Sequence, residues 1–126
     1  MPPVLLAALG GAAGSAARYL AVAGATRLLG IGFPWGTFGV NVIGSFAIGV
    51  FVAAINHGFN GSSDLRTLLV TGFLGGFTTF SAYSLETLQL IERREFALAL
   101  VYAGGSVLVS LLAVALGFAA VRTMVQ

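Results

Sequence analysis

The chain has no cysteine and no lysine, a single histidine, and only 8% charged residues among 126. Without cysteine there is neither a disulfide nor a thiolate metal site. One imidazole, His57 in the polar stretch Asn56-His57-Gly58, cannot build a polyhistidine metal site. Charge this sparse does not clothe a soluble surface, which takes roughly 25% charged residues, and it does not make a disordered chain either. The basic balance comes from six arginines against four acids. In so apolar a chain it reads as anchoring of loops at a membrane surface, with no nucleic acid as partner. No nucleophile–base pair stands out, so an enzyme is not expected.

What is present is grease, with 58% hydrophobic residues and a mean hydropathy of +1.00. Four runs carry no charge at all: Met1–Ala17, Leu28–Ser63, Thr67–Leu85 and Phe96–Val121. A helix needs about 20 apolar residues to cross a bilayer, so four crossings consume roughly 80 residues and leave only short loops. We therefore expect one domain over residues 1–126, an all-α membrane protein of four transmembrane helices. The first should run from about Pro3 to Leu29, ahead of a break at Gly32–Pro34. The second should run from Trp35 to about Ile55. A turn-rich loop covers Asn56–Asp64, with Asp64 as N-cap of a third helix ending near Ile91. Glu92-Arg93-Arg94-Glu95 forms a polar hairpin, and the fourth helix spans Phe96 to about Val121. The N-terminal run is read as a retained helix, since no basic residue precedes it and Arg18 interrupts it.

Orientation follows arginine counts near the span ends. Arg66 and Arg122 fall on one side; Arg27, Arg93 and Arg94, with Arg18, fall on the other. The bias is poor. Either the topology is weakly specified, or copies insert both ways up and pair antiparallel. Gly10 with Gly14, and Gly72 with Gly76, place small residues four apart and would let helices approach closely.

Polar residues in the spans form stripes. Thr37, Asn41 and Ser45 recur at steps of four, as do Tyr102, Ser106 and Ser110, so each set shares a helix face. An asparagine in hydrocarbon needs a hydrogen-bond partner or a water-filled cavity, so the stripes are either interhelical glue or the lining of a polar path. Such a lining offers O–H and N–H donors without fixed charge, which suits a small anion, and could equally conduct water or a small neutral solute. The third span contains Thr71-Gly72-Phe73-Leu74-Gly75-Gly76-Phe77-Thr78-Thr79-Phe80-Ser81. Two glycines ahead of two β-branched residues lower helix propensity sharply, so the helix is expected to break there, and freed carbonyls at a break can coordinate a cation. Phe80 and Tyr83 share a face, and aromatic ring edges carry positive partial charge. Arg18 is the base and Glu86 the acid lying inside the predicted spans, and intramembrane charges are functional candidates.

At these residues the sequence resembles the Fluc family of fluoride channels, also called CrcB. The segments that carry the resemblance are Gly36-Thr37-Phe38-Gly39-Val40-Asn41, the long third-span stretch above, and Gly11-Ala12-Ala13-Gly14 with Arg18. The resemblance implies an antiparallel, dual-topology homodimer in the inner membrane, with a broken third helix and two passive pores for fluoride ion. By that analogy Asn41 donates to fluoride, and Phe80 supplies a ring edge. Thr37, Tyr102, Ser106 and Ser110 belong to the polar pathway. The backbone carbonyls of Gly75 and Thr78 from both copies surround a structural Na⁺. Arg18 raises the potential of a vestibule, and Glu86 matches an acidic position after the aromatic motif. Where the family pattern usually has a second phenylalanine, this chain has Tyr83, whose hydroxyl could donate to fluoride or obstruct a narrow path. Two other readings remain open on residues alone. A small multidrug-type proton-coupled exporter also has four helices, but the first span here has no acid. A non-transporting assembly subunit would explain the glycines but not the stripes.

Overall fold

The computed structural model describes residues 1–58 and 62–125. The loop expected over Asn56–Asp64 lies partly on residues 59–61, outside the described residues. Four apolar helical spans are present: Pro3–Leu29, Trp35–Asn56, Ser63–Glu92 and Phe96–Val125. Each reaches the length that a hydrocarbon core requires. Proline at the first helical position opens the first span, and Gly30 closes it at φ +84° with its N–H on the Thr26 carbonyl, 2.9 Å away. The N-cap of the third span is Ser62, not the expected Asp64. The Ser62 hydroxyl accepts from the Leu65 N–H at 3.1 Å, leaving Asp64 in the first turn. The fourth span extends four residues past the expected Val121.

The spans pack in two layers of contact. The first lies against the leading half of the third, and the second lies along the fourth. Both contacts are made by glycine. A Cβ added to Gly10 would fall on the Leu68 carbonyl, and one on Gly14 on the Phe73 carbonyl. Gly49 and Gly117 give the second and fourth spans the same backbone-to-backbone approach. The glycine pairs read from the sequence thus join helices within one chain. Against Gly10 and Gly14 the third span is not an ordinary helix. Residues Thr67–Leu74 are π-helical, a wider turn that turns carbonyls toward the first span.

Helix ends at Phe77 and resumes at Phe80. Thr78 (φ −88°, ψ 157°) and Thr79 (φ −151°, ψ 122°) between them are extended. The break falls where the Gly-Gly-Phe-Thr-Thr stretch has least helix propensity. At one end of the bundle the trailing half, Phe80–Glu92, packs on the fourth span around Leu90, Ala99 and Tyr102. Phe33, Phe38 and Tyr83 close over this cluster. The hairpin that follows turns on Arg94 at φ +60°. Large apolar side chains such as Ile43, Leu100 and Leu108 point outward, while Thr37, Tyr102 and Ser106 are buried. Apolar outside and polar inside is the order that a bilayer imposes.

Candidate functional site: an interrupted helix beside a polar hollow

The interruption exposes backbone groups that a continuous helix would pair. The structure pairs some of them with side chains. Asn41, from the second span, forms a two-point clamp. Its Oδ1 accepts from the Thr79 N–H at 2.8 Å, and its Nδ2 donates to the Thr79 carbonyl at 3.0 Å. The Thr79 hydroxyl caps the trailing half by accepting from the Ala82 N–H at 3.2 Å. Arg18, from the first span, donates from Nε to the Gly76 carbonyl at 3.0 Å.

These diversions have a consequence for two carbonyls. In an unbroken helix the Thr79 N–H would serve the Gly75 carbonyl, and the Ala82 N–H would serve Thr78. Here the first goes to Asn41 and the second to the Thr79 hydroxyl. Gly75 and Thr78 therefore keep acceptor capacity in neutral oxygens, the ligand type that hard cations prefer. The described residues contain no group of three His, Asp or Glu side chains able to hold a metal. Among the described residues backbone oxygen is the donor set at the break, and it suits a hard cation better than a metal that prefers thiolate or imidazole.

Beside the break lies a hollow of about 260 Å³ lined by the polar side chains of Asn41, Ser45, Thr78, Thr79, Ser106 and Ser110 and by Ile48, Phe80, Tyr83 and Val107. The Ser106 and Ser110 hydroxyl oxygens are buried without a protein partner. A buried hydroxyl left unpaired is costly, so two side by side mark a place where something else supplies the partner. Asn41 Nδ2 retains a second hydrogen, and Asn41 lines the same hollow. The Phe80 and Tyr83 rings, 5.3 Å apart between centroids, form one wall. The Tyr83 hydroxyl is committed elsewhere. It donates to the Ala103 carbonyl of the fourth span at 2.8 Å.

The predicted stripes are split by the fold. Asn41, Ser106 and Ser110 meet at this hollow, with Phe80 and Tyr83. Thr37 faces a second hollow of about 420 Å³, shared with Arg18, Thr79 and Glu86. Tyr102 is fully buried and lines neither hollow; its hydroxyl donates to Glu86 Oε1 at 3.0 Å. Glu86 also borders a third hollow of about 530 Å³, at the end of the bundle near Phe33 and Arg93. Thr79 lines both the first hollow and the second, and Glu86 lines both the second and the third. The residue that sequence reasoning passed over is Thr79, which is at once the partner of Asn41, the cap of the trailing half and the wall between two hollows. Its signal was there to read: a threonine directly ahead of a helical run is a standard N-cap.

Comparison with known proteins gives a concordant result. Residues 5–118 match the family model described as CrcB-like protein, Camphor Resistance (CrcB). A fluoride-specific ion channel FluC of Rhizobium etli is 51% identical over 125 residues, 99% of this chain and 100% of that protein. The protein of the same name from Caulobacter vibrioides is 46% identical over 123 residues, 97% of each chain. That from Agrobacterium fabrum is 46% identical over 121 residues, 96% of this chain and 97% of the other.

Proposed function

The chain belongs to the CrcB family, and from that premise we propose that it is a passive, fluoride-selective channel, a multi-pass protein of the inner membrane. The observation that carries the reading is the hollow in which the unpartnered Ser106 and Ser110 hydroxyls, the spare hydrogen of Asn41 and an aromatic wall converge. Fluoride is small and strongly hydrated. It needs several donors at short range to replace its water, and it leaves readily only if no fixed charge holds it. Hydroxyl and amide donors with ring edges meet both conditions. No step requires chemistry or an energy source, so the membrane potential, negative inside, drives fluoride out of the cytoplasm.

The working unit in this reading is two antiparallel copies with two pores. A single chain leaves Phe80 76% exposed, with Thr71, Ser81 and Ser84 also exposed at membrane depth. The Ser84 hydroxyl is paired with the Phe80 carbonyl and the Ser81 hydroxyl with that of Thr79. A row of hydroxyl residues is still out of place against lipid tails, and a ring turned to lipid lines no pore; a second copy would cover them. Gly39 and Gly104 have nothing within 4 Å of an added Cβ, so other helices could approach them closely. On the two-fold axis, the Gly75 and Thr78 carbonyls of both copies would hold a structural Na⁺, which supplies a fixed positive charge that ties the two breaks together.

Purified protein in liposomes with a potassium ionophore, read by a fluoride electrode, tests the proposal. Rapid F⁻ efflux with chloride retained is expected. Absence of F⁻ efflux, or equal passage of chloride, would overturn it. Replacing Na⁺ by a larger cation throughout purification should weaken the dimer; indifference would remove the cation from the scheme.

A further inference from the structure

Two side chains hold the interrupted segment, and they grip it from different helices. Asn41 takes Thr79, on the trailing side of the break, and Arg18 takes the Gly76 carbonyl, on the leading side. Gly76 lies two residues before the extended backbone begins. Its carbonyl is one of the orphan acceptors of a helix C-terminus, and it carries part of the negative end of that helix dipole. At membrane depth such a carbonyl has to be paired by the protein or face a cavity. The first span comes close enough to reach it because glycine faces glycine here. A Cβ on Gly76 would stand 2.6 Å from the Gly11 carbonyl. Seven residues further along, about two turns, the half-buried Arg18 guanidinium meets the orphan acceptor at 3.0 Å. Arg18 shares a hollow with Glu86, yet among the described residues the ion pair present is Arg93–Glu95 in the hairpin. The bond that fixes Arg18 is to backbone, not to the acid.

We propose that Arg18 is a positioning residue for conduction: by donating from Nε to Gly76 it sets the carbonyl end of the leading half, and with it the Gly75 and Thr78 oxygens on either side. This deepens the fluoride-channel reading and rests on it for its consequence in transport. It differs from a role as a source of positive potential in a vestibule. A field source needs charge; a positioning residue needs the planar donor in place. Lysine keeps the charge but offers a compact, strongly hydrated ammonium without that fork.

The experiment compares R18K and R18Q with wild type in liposomes across fluoride concentrations, using only monodisperse, assembled protein. Saturating flux should fall about tenfold or more in both variants, the weight of one hydrogen bond to a charged group, with half-saturation unchanged. In R18K the backbone amide signals of Thr78 and Thr79 should move while those of Leu90 and Ala113 stay, a signature that general destabilisation would not produce. R18K flux near wild type with unmoved Thr78 and Thr79 signals, or a loss confined to half-saturation in R18Q, overturns the proposal. If neither variant assembles, arginine-labelled wild type decides. The Arg18 Nε–H should be protected from solvent exchange; exchange as fast as that of the hairpin arginines overturns it. Wild type that passes no fluoride but shows a protected Arg18 Nε–H and a shifted Thr79 in R18K sinks the channel reading and leaves the positioning of the break standing.

Discussion

Asn41 meets two demands with one amide. It pairs both backbone groups of Thr79 and still presents a hydrogen to the hollow. Asn41→Ala should therefore cost both stability, about 2 kcal/mol for two hydrogen bonds, and fluoride flux. A flux loss at unchanged melting temperature would mean that the clamp is not formed. Ser106 has the opposite balance. It is 4% exposed and its hydroxyl lacks a partner, so Ser106→Ala should raise stability by about 1 kcal/mol or leave it unchanged while slowing efflux. Faster or equal efflux in that variant would remove Ser106 from the path. Tyr83 donates to the Ala103 carbonyl. Its hydroxyl is thus tied to the fourth span, away from a role as fluoride donor. Tyr83→Phe should cost about 1 kcal/mol and keep flux within about threefold, since the ring wall remains. A tenfold change in the electrode trace would show that the hydroxyl reaches the ion.

Among the elements, the third span is where local sequence and packing compete. Its break was legible, because two glycines and two threonines in a row weaken any helix, wherever it sits. Its π-helical turn was not, because the wide turn is seen only together with the Gly10 and Gly14 backbone it lies against. Gly14→Val should separate the first and third spans and prevent assembly, since the added atoms meet the Phe73 carbonyl, which cannot yield as a flexible side chain can. Gly24→Ala, with nothing within 4 Å, should be neutral or stabilising by about 1 kcal/mol. Gel filtration and thermal melts separate the two, and equal behaviour would show that the glycine contact is not close.

For the whole molecule, the poor arginine asymmetry gives the spans no strong preference for one orientation. The chain has no cysteine, so a single Glu95→Cys in the third loop can be labelled without background. An impermeant maleimide applied to sealed, right-side-out vesicles should modify about half of the protein, and permeabilised vesicles nearly all of it, if the spans insert both ways. Labelling confined to one side would exclude the antiparallel pair.

Composition alone settled that this chain lives in a bilayer, because four charge-free runs have no other stable home, and periodicity settled which polar residues share a helix face. What it could not settle was their partners. Thr37, Asn41 and Ser45 look equivalent along the second span, yet the fold sends Thr37 to one hollow and the others to another. Arg18 looked like a charge near a helix end, and became a donor to a carbonyl 58 residues away. Spacing along a helix is a local property fixed by 3.6 residues per turn. Which backbone group a side chain completes depends on where a distant helix stops, and only the packed structure decides that.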